Sequence, residues 1–176
     1  MKLDTHCQHI RLILSDVDGV LTNGGIVFDN QGIETKCFFV RDGLGIALWR
    51  RAGYQYGILT ARTSHIVKVR ADELGVDVVR QGFEDKLPIA KEIIEQLGLT
   101  AEQVCYIGDD LPDLPIIRLV GLGVAVADAT ADVRQSADYV TKASGGHGAV
   151  REIIEIILKA QRRWDSLIQR YTGSGT

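Results

Sequence analysis

Residues 10–22 of the chain read IRLILSDVDGVLT, an apolar run that ends in two aspartates separated by one residue. The run Ile10–Ser15 is short and nearly continuous in apolar side chains, which is typical of a strand buried on both faces of a parallel sheet. Asp16 and Asp18 follow it directly. In an open α/β sheet, ligands bind outside the carboxyl ends of the strands. We therefore expect the two aspartates to lie at a binding edge of the sheet.

Five further apolar runs predict the other strands of this sheet. They are Tyr56–Thr60, Val76–Val79, Val104–Gly108, Gly123–Ala127 and Tyr139–Thr141. Segments with a helical spacing of apolar residues separate them, and alternating strands and helices predict an α/β fold with a doubly wound parallel sheet. Two apolar stripes follow one another from Val150 to Tyr171 and predict one long final helix.

One segment interrupts the alternation of strands and helices. Gly25–Phe28 and Glu34–Val40 flank the turn-rich tetrapeptide DNQG at residues 29–32, which predicts a β-hairpin between the first strand and the first helix. The interval between Asp18 and Thr60 must hold this hairpin, one helix and one strand, so it leaves no room for a cap domain. Exposed hairpin edges are protected when copies of the chain pair. We therefore expect a homo-oligomer in which a neighbouring copy covers each site.

The composition of the 176 residues excludes several classes of protein. Hydrophobic residues make up 45% and charged residues 24%, close to the averages of globular proteins. No apolar run approaches the ~18 residues of a membrane span. The net charge of −3 gives no general attraction for nucleic acid or an anionic membrane. The three cysteines lack a CxxC spacing and no signal-like apolar block opens the chain, so we expect reduced thiols in the cytoplasm.

Polar residues at the ends of the predicted strands form one acidic group with a threonine and a lysine. The members are Asp16, Asp18, Thr60, Lys86, Asp109, Asp110 and Asp113. Clustered carboxylates repel one another unless a cation lies between them, and hard oxygen ligands favour Mg²⁺. Lysine and threonine can donate to phosphoryl oxygens, and a free carboxylate can attack phosphorus. The group therefore predicts magnesium-dependent phosphoryl transfer.

Simpler structural explanations apply to the same residues. Asp16 and Asp18 can serve as a helix cap and a turn residue, and Thr60 can cap the end of its strand. Asp110 and Asp113 suit the positive amino end of the helix that follows them. For the last two residues, a capping role and a functional role are compatible.

The order of these motifs resembles the haloacid dehalogenase-like phosphatase superfamily: DxDGV, a strand ending in threonine, a lysine, then GDDxxD, from Asp16 to Asp113. A narrower resemblance, over about residues 12–159, is to the 3-deoxy-D-manno-octulosonate 8-phosphate phosphatase family. It rests on residues 15–32, Val40–Ile46, Ala61–Ser64 and Gly145–Glu152. Ala61 stands where the family commonly has glycine, and the tail after residue 159 is longer than usual.

The resemblance implies a capless, doubly wound hydrolase domain over residues 1–176, with the hairpin at about 24–40 and a C-terminal helix and tail at about 148–176. It implies a phosphoric monoester hydrolase that converts the octulosonate 8-phosphate to free sugar and phosphate through an aspartyl-phosphate, in lipopolysaccharide precursor synthesis. It also implies a homotetramer with the hairpins at the subunit interfaces. A phosphatase for a nine-carbon, sialic-acid-like sugar phosphate is the alternative within the same fold.

The resemblance also assigns roles to individual residues. Asp16 is the nucleophile, and Asp18 is first the general acid and then the base that activates water. Magnesium is held by the carboxylates of Asp16 and Asp109 and by the main-chain carbonyl of Asp18. Thr60 and Lys86 bind the transferring phosphoryl group.

Residues around this set complete the predicted site. The resemblance further implies that Asp110 and Asp113 orient Lys86 and metal-bound waters. Arg62 and Arg70 are candidate binders of the carboxylate of the sugar, since an arginine fork matches a carboxylate. Both arginines can equally be solvated surface residues.

A phospho-accepting receiver domain of signalling proteins is the alternative from another class. Receivers also combine a doubly wound sheet with acids, a threonine and a lysine. Their acidic pair follows the first strand and the phospho-acceptor follows a later one. Here the DxD motif comes first and the pair Asp109-Asp110 comes late, so the order favours the phosphatase.

Overall fold

A computed structural model describes residues 2–173 of the chain. The strands are β1 (Leu12–Ser15), β2 (Val27–Phe28), β3 (Glu34–Thr35), β4 (Gln55–Thr60), β5 (Val78–Gln81), β6 (Val104–Gly108), β7 (Leu122–Ala125) and β8 (Tyr139–Val140). The helices are α1 (Lys2–Cys7), α2 (Val40–Arg51), α3 (His65–Leu74), α4 (Lys86–Gln96), α5 (Leu114–Ile117), α6 (Ala131–Ser136), α7 (Ala149–Ala160) and α8 (Trp164–Thr172). Short 3-10 turns span Ala101–Gln103 and Leu111–Asp113.

Six of the strands form a parallel sheet in the order β5-β4-β1-β6-β7-β8, which confirms the predicted α/β fold. The chain builds outward from β1 through β4 and β5, and then returns to the other side of β1 with β6. The order therefore reverses beside β1, and ligands bind at such a switch point in doubly wound sheets. Every residue of β1 is buried, as its continuous apolar run predicts.

Strand bounds shift by a few residues from the predicted runs, except for β6. The strand predicted at Val76–Val79 begins only at Val78. Val76 lies just beyond α3 and takes part in its C-terminal cap, because its N–H donates to the carbonyl of Ala71 at 2.9 Å. Apolar residues at the end of a helix and at the start of a strand look alike in sequence, so the pattern alone could not separate them.

The prediction of one long final helix is wrong. Helix α7 ends at Ala160 and α8 begins at Trp164. Between them Arg162 adopts a φ of +56°, a left-handed conformation that no α-helix contains. The side chain of Trp164 still contacts α7, since its ring centroid lies 5.2 Å from the guanidinium of Arg151 and 5.1 Å from the ammonium of Lys159. Residues 174–176 of the predicted tail lie outside the described part of the chain.

Two short antiparallel strands follow the aspartate loop, with Val27 opposite Thr35 and Phe28 opposite Glu34. The carboxylate of Asp29 builds the turn between them, since it accepts the N–H groups of Gln31 and Ile33, both at 2.8 Å. These strands are shorter than the predicted runs. We call residues 24–39 the hairpin; within residues 2–173 the loop that carries Asp16 and Asp18, this hairpin and α2 make up most of the segment between β1 and β4.

A buried aspartate joins α2 to the amino end of α7. Asp42 is 2% exposed and accepts the N–H of Arg151 at 2.7 Å and the N–H of Gly148 at 3.3 Å. Burial raises the pKa of Asp42, although these hydrogen bonds act in the opposite direction. Helices α2 and α7 pack against each other over much of their length, so this contact fixes where their paired ends lie.

We expect Asp42→Ala to lower the free energy of unfolding by about 1–3 kcal/mol, because two buried N–H groups lose their acceptor. Asp42→Asn, which keeps one acceptor oxygen, should lose less. Urea unfolding checks both values. Asp72→Ala, at an exposed position of α3, is the control and should stay near the wild-type value. Equal stability of the Asp42→Ala variant and this control would contradict the assignment.

Candidate active site

The predicted site residues come from the carboxyl ends of three neighbouring strands. Asp16 follows β1, Thr60 ends β4, and Asp109 follows β6. Because β4, β1 and β6 are parallel neighbours, these ends meet at one edge of the sheet. Lys86, the first residue of α4, reaches the same edge.

The ammonium of Lys86 lies between two carboxylates. Its Nζ is 2.8 Å from Asp16 Oδ2 and 2.7 Å from Asp113 Oδ1, and its side chain is 1% exposed. Burial alone would lower the pKa of Lys86, but Asp113 and Asp16 raise it above its usual value. Burial also raises the pKa of Asp16, as does Asp113, while Lys86 opposes this rise. The arrangement therefore holds a permanent cation against Asp16.

Asp113 is saturated with hydrogen-bond donors. Oδ1 accepts from Lys86 and from the hydroxyl of Tyr106, both at 2.7 Å. Oδ2 accepts the N–H of Asp109 at 3.0 Å and that of Asp110 at 3.3 Å. Burial raises the pKa of Tyr106 well above its usual value, so its hydroxyl keeps its proton and donates. Sequence reasoning missed Tyr106, because a tyrosine inside an apolar strand is more typical of packing.

Asp109 differs from Asp113 in having a buried oxygen, Oδ1, without a hydrogen-bond partner. Burial, then Asp113 and Asp16, raise the pKa of Asp109 to about 8. One carboxylate oxygen from each of Asp16, Asp109 and Asp113 lies within 4.8 Å of the other two. Since Asp113 is saturated, the carboxylates of Asp16 and Asp109 are the ones available to a cation. A buried, unpartnered carboxylate oxygen beside a second carboxylate fits a hard divalent ion such as Mg²⁺.

The loop after β1 approaches Asp109 through a glycine. Gly19 has a φ of +91°, and a Cβ there would lie 2.0 Å from Asp109 Oδ2. A second close approach comes from the loop before α7, where a Cβ on Gly145 would lie 1.8 Å from the carbonyl oxygen of Gly19. The N–H of Gly146 also donates to the carbonyl of Val20 at 2.9 Å. The glycine-rich loop thus supports the segment that carries Asp16.

Asp18 faces the hairpin rather than the Lys86 centre. Its Oδ1 accepts a hydrogen bond from Lys36 Nζ and lies 3.5 Å from Thr22 Oγ1. Its Oδ2 is 3.7 Å from Arg62 Nε. Arg62 in turn donates to Glu34 at 2.8 Å, and its side chain is 43% exposed. Sequence reasoning missed Lys36 and Glu34, because charged residues on a hairpin are most often solvated.

Two predicted side chains, those of Arg70 and Asp110, make their contacts elsewhere, although the main-chain N–H of Asp110 donates to Asp113. Arg70 pairs with Glu73 at 2.7 Å, and its guanidinium lies over the ring of Phe38 at 5.9 Å. The carboxylate of Asp110 accepts the N–H of Leu111, as a helix cap does. The ring of His147 is hydrogen-bonded to the carbonyl oxygen of Gly145 within its own loop.

Within residues 2–173, no helix is long and apolar enough to cross a membrane.

The fold and the acidic edge define a class of hydrolases, and comparison with known proteins agrees. Residues 53–154 match the family model described as haloacid dehalogenase-like hydrolase. The chain belongs to this family. Membership rules against the receiver-domain alternative.

Individual relatives have narrower descriptions than the family model. The chain is 44% identical to 3-deoxy-D-manno-octulosonate 8-phosphate phosphatase KdsC of Escherichia coli, over 90% of this chain and 84% of that protein. A crystal structure of a probable YrbI family phosphatase from Pseudomonas syringae matches with a TM-score of 0.96 and 44% identity, over 97% of both chains.

A second solved structure carries ligands. It is 3-deoxy-D-manno-octulosonate 8-phosphate phosphatase from Moraxella catarrhalis in complex with magnesium ion, phosphate ion and a KDO molecule. The TM-score is 0.95 at 41% identity, over 97% of this chain and 98% of that chain.

We expect Asp109→Asn to stabilise the metal-free protein and to remove its stabilisation by magnesium. The pKa of about 8 in the folded state exceeds the ordinary value of 3.8. The fold therefore disfavours the ionised carboxylate, and the stability of the metal-free protein should fall as pH rises from about 4 to about 8. Magnesium should reverse this fall, since it favours the ionised form.

Thermal unfolding with EDTA and with magnesium, at about pH 6 and about pH 8, checks this expectation. The magnesium-dependent rise in Tm should be larger at the higher pH in wild type and small in Asp109→Asn. An equal rise in Tm in both proteins would contradict the assignment of Asp109 as a metal ligand.

Proposed function

We propose that the protein is a magnesium-dependent phosphatase that hydrolyses 3-deoxy-D-manno-octulosonate 8-phosphate to the free sugar and phosphate. One observation carries the proposal: the carboxylate of Asp16, buried at the end of β1, is paired with Lys86 at 2.8 Å beside the unpartnered oxygen of Asp109. This is a nucleophile next to a cation and a place for a metal. The 44% identity to the E. coli enzyme supports the same substrate.

In the first half-reaction, Asp16 attacks phosphorus and forms an aspartyl-phosphate. The bond between phosphorus and the sugar oxygen breaks, and that oxygen takes the proton of Asp18. Lys86 lies against Asp16 throughout and offsets the charge of the phosphoryl oxygens. Thr60, buried at the end of β4, supplies a second donor.

In the second half-reaction, water attacks the phosphorus of the aspartyl-phosphate. The Asp18 carboxylate accepts a proton from this water, the bond between phosphorus and Asp16 breaks, and inorganic phosphate leaves. Asp16 is again a carboxylate and Asp18 is again protonated. Both groups thus return to their starting forms.

The carboxylates of Asp16 and Asp109, together with the main-chain carbonyl of Asp18, would hold Mg²⁺. When bound, the ion offsets negative charge on the phosphoryl oxygens. Asp113 positions Lys86 rather than coordinating the ion, since four donors occupy its oxygens. Asp110 would support Asp113 through its main-chain N–H, which donates to Asp113 Oδ2 at 3.3 Å.

The sugar would be recognised at the exposed side of the site. Arg62 is part exposed and lies beside Asp18, so its guanidinium is suited to bind the carboxylate of the sugar. Arg70 would contribute only after release from Glu73. A nine-carbon sugar phosphate remains the alternative substrate, and parallel assays of both sugar phosphates decide between them.

The hairpin would join copies of the chain into a homotetramer. Ile26, Val27, Phe28 and Ile33 of the hairpin are 45–58% exposed, a concentration of apolar side chains that is typical of an interface. The single domain of residues 1–176 would then be covered by its neighbours. We also propose that the enzyme acts in the cytoplasm, in line with its free cysteines, and in lipopolysaccharide precursor synthesis, as the family resemblance implies.

Asp16→Asn should reduce turnover of the octulosonate 8-phosphate by at least about 10³-fold, because the attacking anion is lost. Steady-state phosphate release measures this, with the fold checked by circular dichroism. Asp132→Asn, at an exposed position of α6, is the matched control and should keep wild-type turnover. Wild-type turnover in Asp16→Asn would contradict the assignment of Asp16 as the nucleophile.

Arg62→Ala should raise KM for the octulosonate 8-phosphate by about tenfold or more, since one charge-assisted contact to the carboxylate is lost. KM for p-nitrophenyl phosphate, which lacks the carboxylate, should change far less. Arg11→Ala, an exposed arginine at the opposite edge of the sheet, is the control. Equal changes in KM for both substrates would remove Arg62 from sugar recognition.

A further inference from the structure

Lys36 is a buried cation that the mechanism above does not use. It follows β3 of the hairpin, and its side chain is only 1% exposed. Its Nζ donates to Asp18 Oδ1 and lies 3.3 Å from Glu34 Oε1. Lysine is rarely buried unless its charge is paired. The two carboxylates provide this pairing, and one of them belongs to the proposed acid and base.

The contacts of Lys36 close into a ring of alternating charges. Lys36 contacts Asp18 and Glu34, Glu34 accepts from Arg62 at 2.8 Å, and Arg62 Nε lies 3.7 Å from Asp18. The hydroxyl of Ser64 also donates to Glu34 at 2.8 Å. The hydrogen bonds from Ser64 and Arg62 lower the pKa of Glu34, so Glu34 holds both cations as a carboxylate. The hairpin is thereby tied to the catalytic edge.

We propose that Lys36 is a positioning residue, which holds Oδ1 of Asp18 and so fixes the orientation of the carboxyl group that exchanges a proton with the leaving group. This rests on the proposed function, in which Asp18 protonates the sugar oxygen. A carboxyl group that must deliver a proton at one place loses side-chain freedom on reaching the transition state. Lys36, itself held by Glu34, removes that freedom before the substrate binds.

A positioning role of Lys36 predicts a kinetic pattern that a purely structural role does not. A general acid matters most when the leaving oxygen is strongly basic, as in an alkyl or sugar phosphate. It matters little for p-nitrophenyl phosphate, whose leaving group departs as an anion. Misplacing Asp18 should therefore slow the enzyme more as the pKa of the leaving group rises. A general loss of structure would slow all substrates alike.

The experiment measures kcat/KM for a series of substituted phenyl phosphates and ethyl phosphate, in the presence of magnesium. None of these substrates carries a sugar carboxylate, so sugar recognition does not enter. In Lys36→Met the loss should grow along the series and reach about 10–100-fold for ethyl phosphate. Lys36→Arg, which keeps a donor, should recover much of this loss. Lys91→Met, at an exposed lysine of α4, should follow wild type.

An equal loss across the series in folded Lys36→Met overturns the proposal. If Lys36→Met does not fold, Glu34→Gln tests the same contact, since it weakens the second partner of Lys36. In Glu34→Gln the loss of kcat/KM should likewise grow as the pKa of the leaving group rises. A loss that does not grow along the series contradicts the proposal. A wild-type protein without activity on the octulosonate 8-phosphate would instead reject the proposed function.

Discussion

The buried contact of Lys86 with Asp16 and Asp113 is the constraint on which the site depends. Burying charged groups costs several kcal/mol per ion, and their attraction offsets this only when further hydrogen bonds satisfy them. Asp113 meets that condition through Tyr106 and two main-chain N–H groups. Removing one partner of such a pair costs about 3–5 kcal/mol in other proteins. The contact therefore fixes the nucleophile and its cation together.

How far the sequence predicts the molecule depends on how local each feature is. The apolar run of β1 and the aspartates after it are local, and both the sheet and its acidic edge follow from them. The contact of Lys36 with Asp18 depends on how the hairpin folds back, which no spacing along the chain encodes. Tyr106 was missed for a different reason, since a tyrosine inside an apolar strand is more typical of packing. One backbone torsion, at Arg162, divides the predicted final helix, and side-chain periodicity carries no information about it.

The hairpin has two sides with different chemistry. Val27, Phe28 and Ile33 expose apolar surface, whereas Glu34 and Lys36 bind charged groups of the catalytic edge. On the proposed assembly, pairing of hairpins would order the same segment that holds Asp18. This physical link between assembly and catalysis suits a site over which residues 2–173 place no separate domain.

Trapping the covalent intermediate tests the central claim most directly. The enzyme is mixed with the octulosonate 8-phosphate and magnesium, quenched in acid, and treated with borohydride, which reduces an acyl phosphate to the alcohol. Peptide mass spectrometry should then find Asp16 converted to homoserine, and no other aspartate changed. Full turnover without this product, or reduction at another aspartate, would contradict the account.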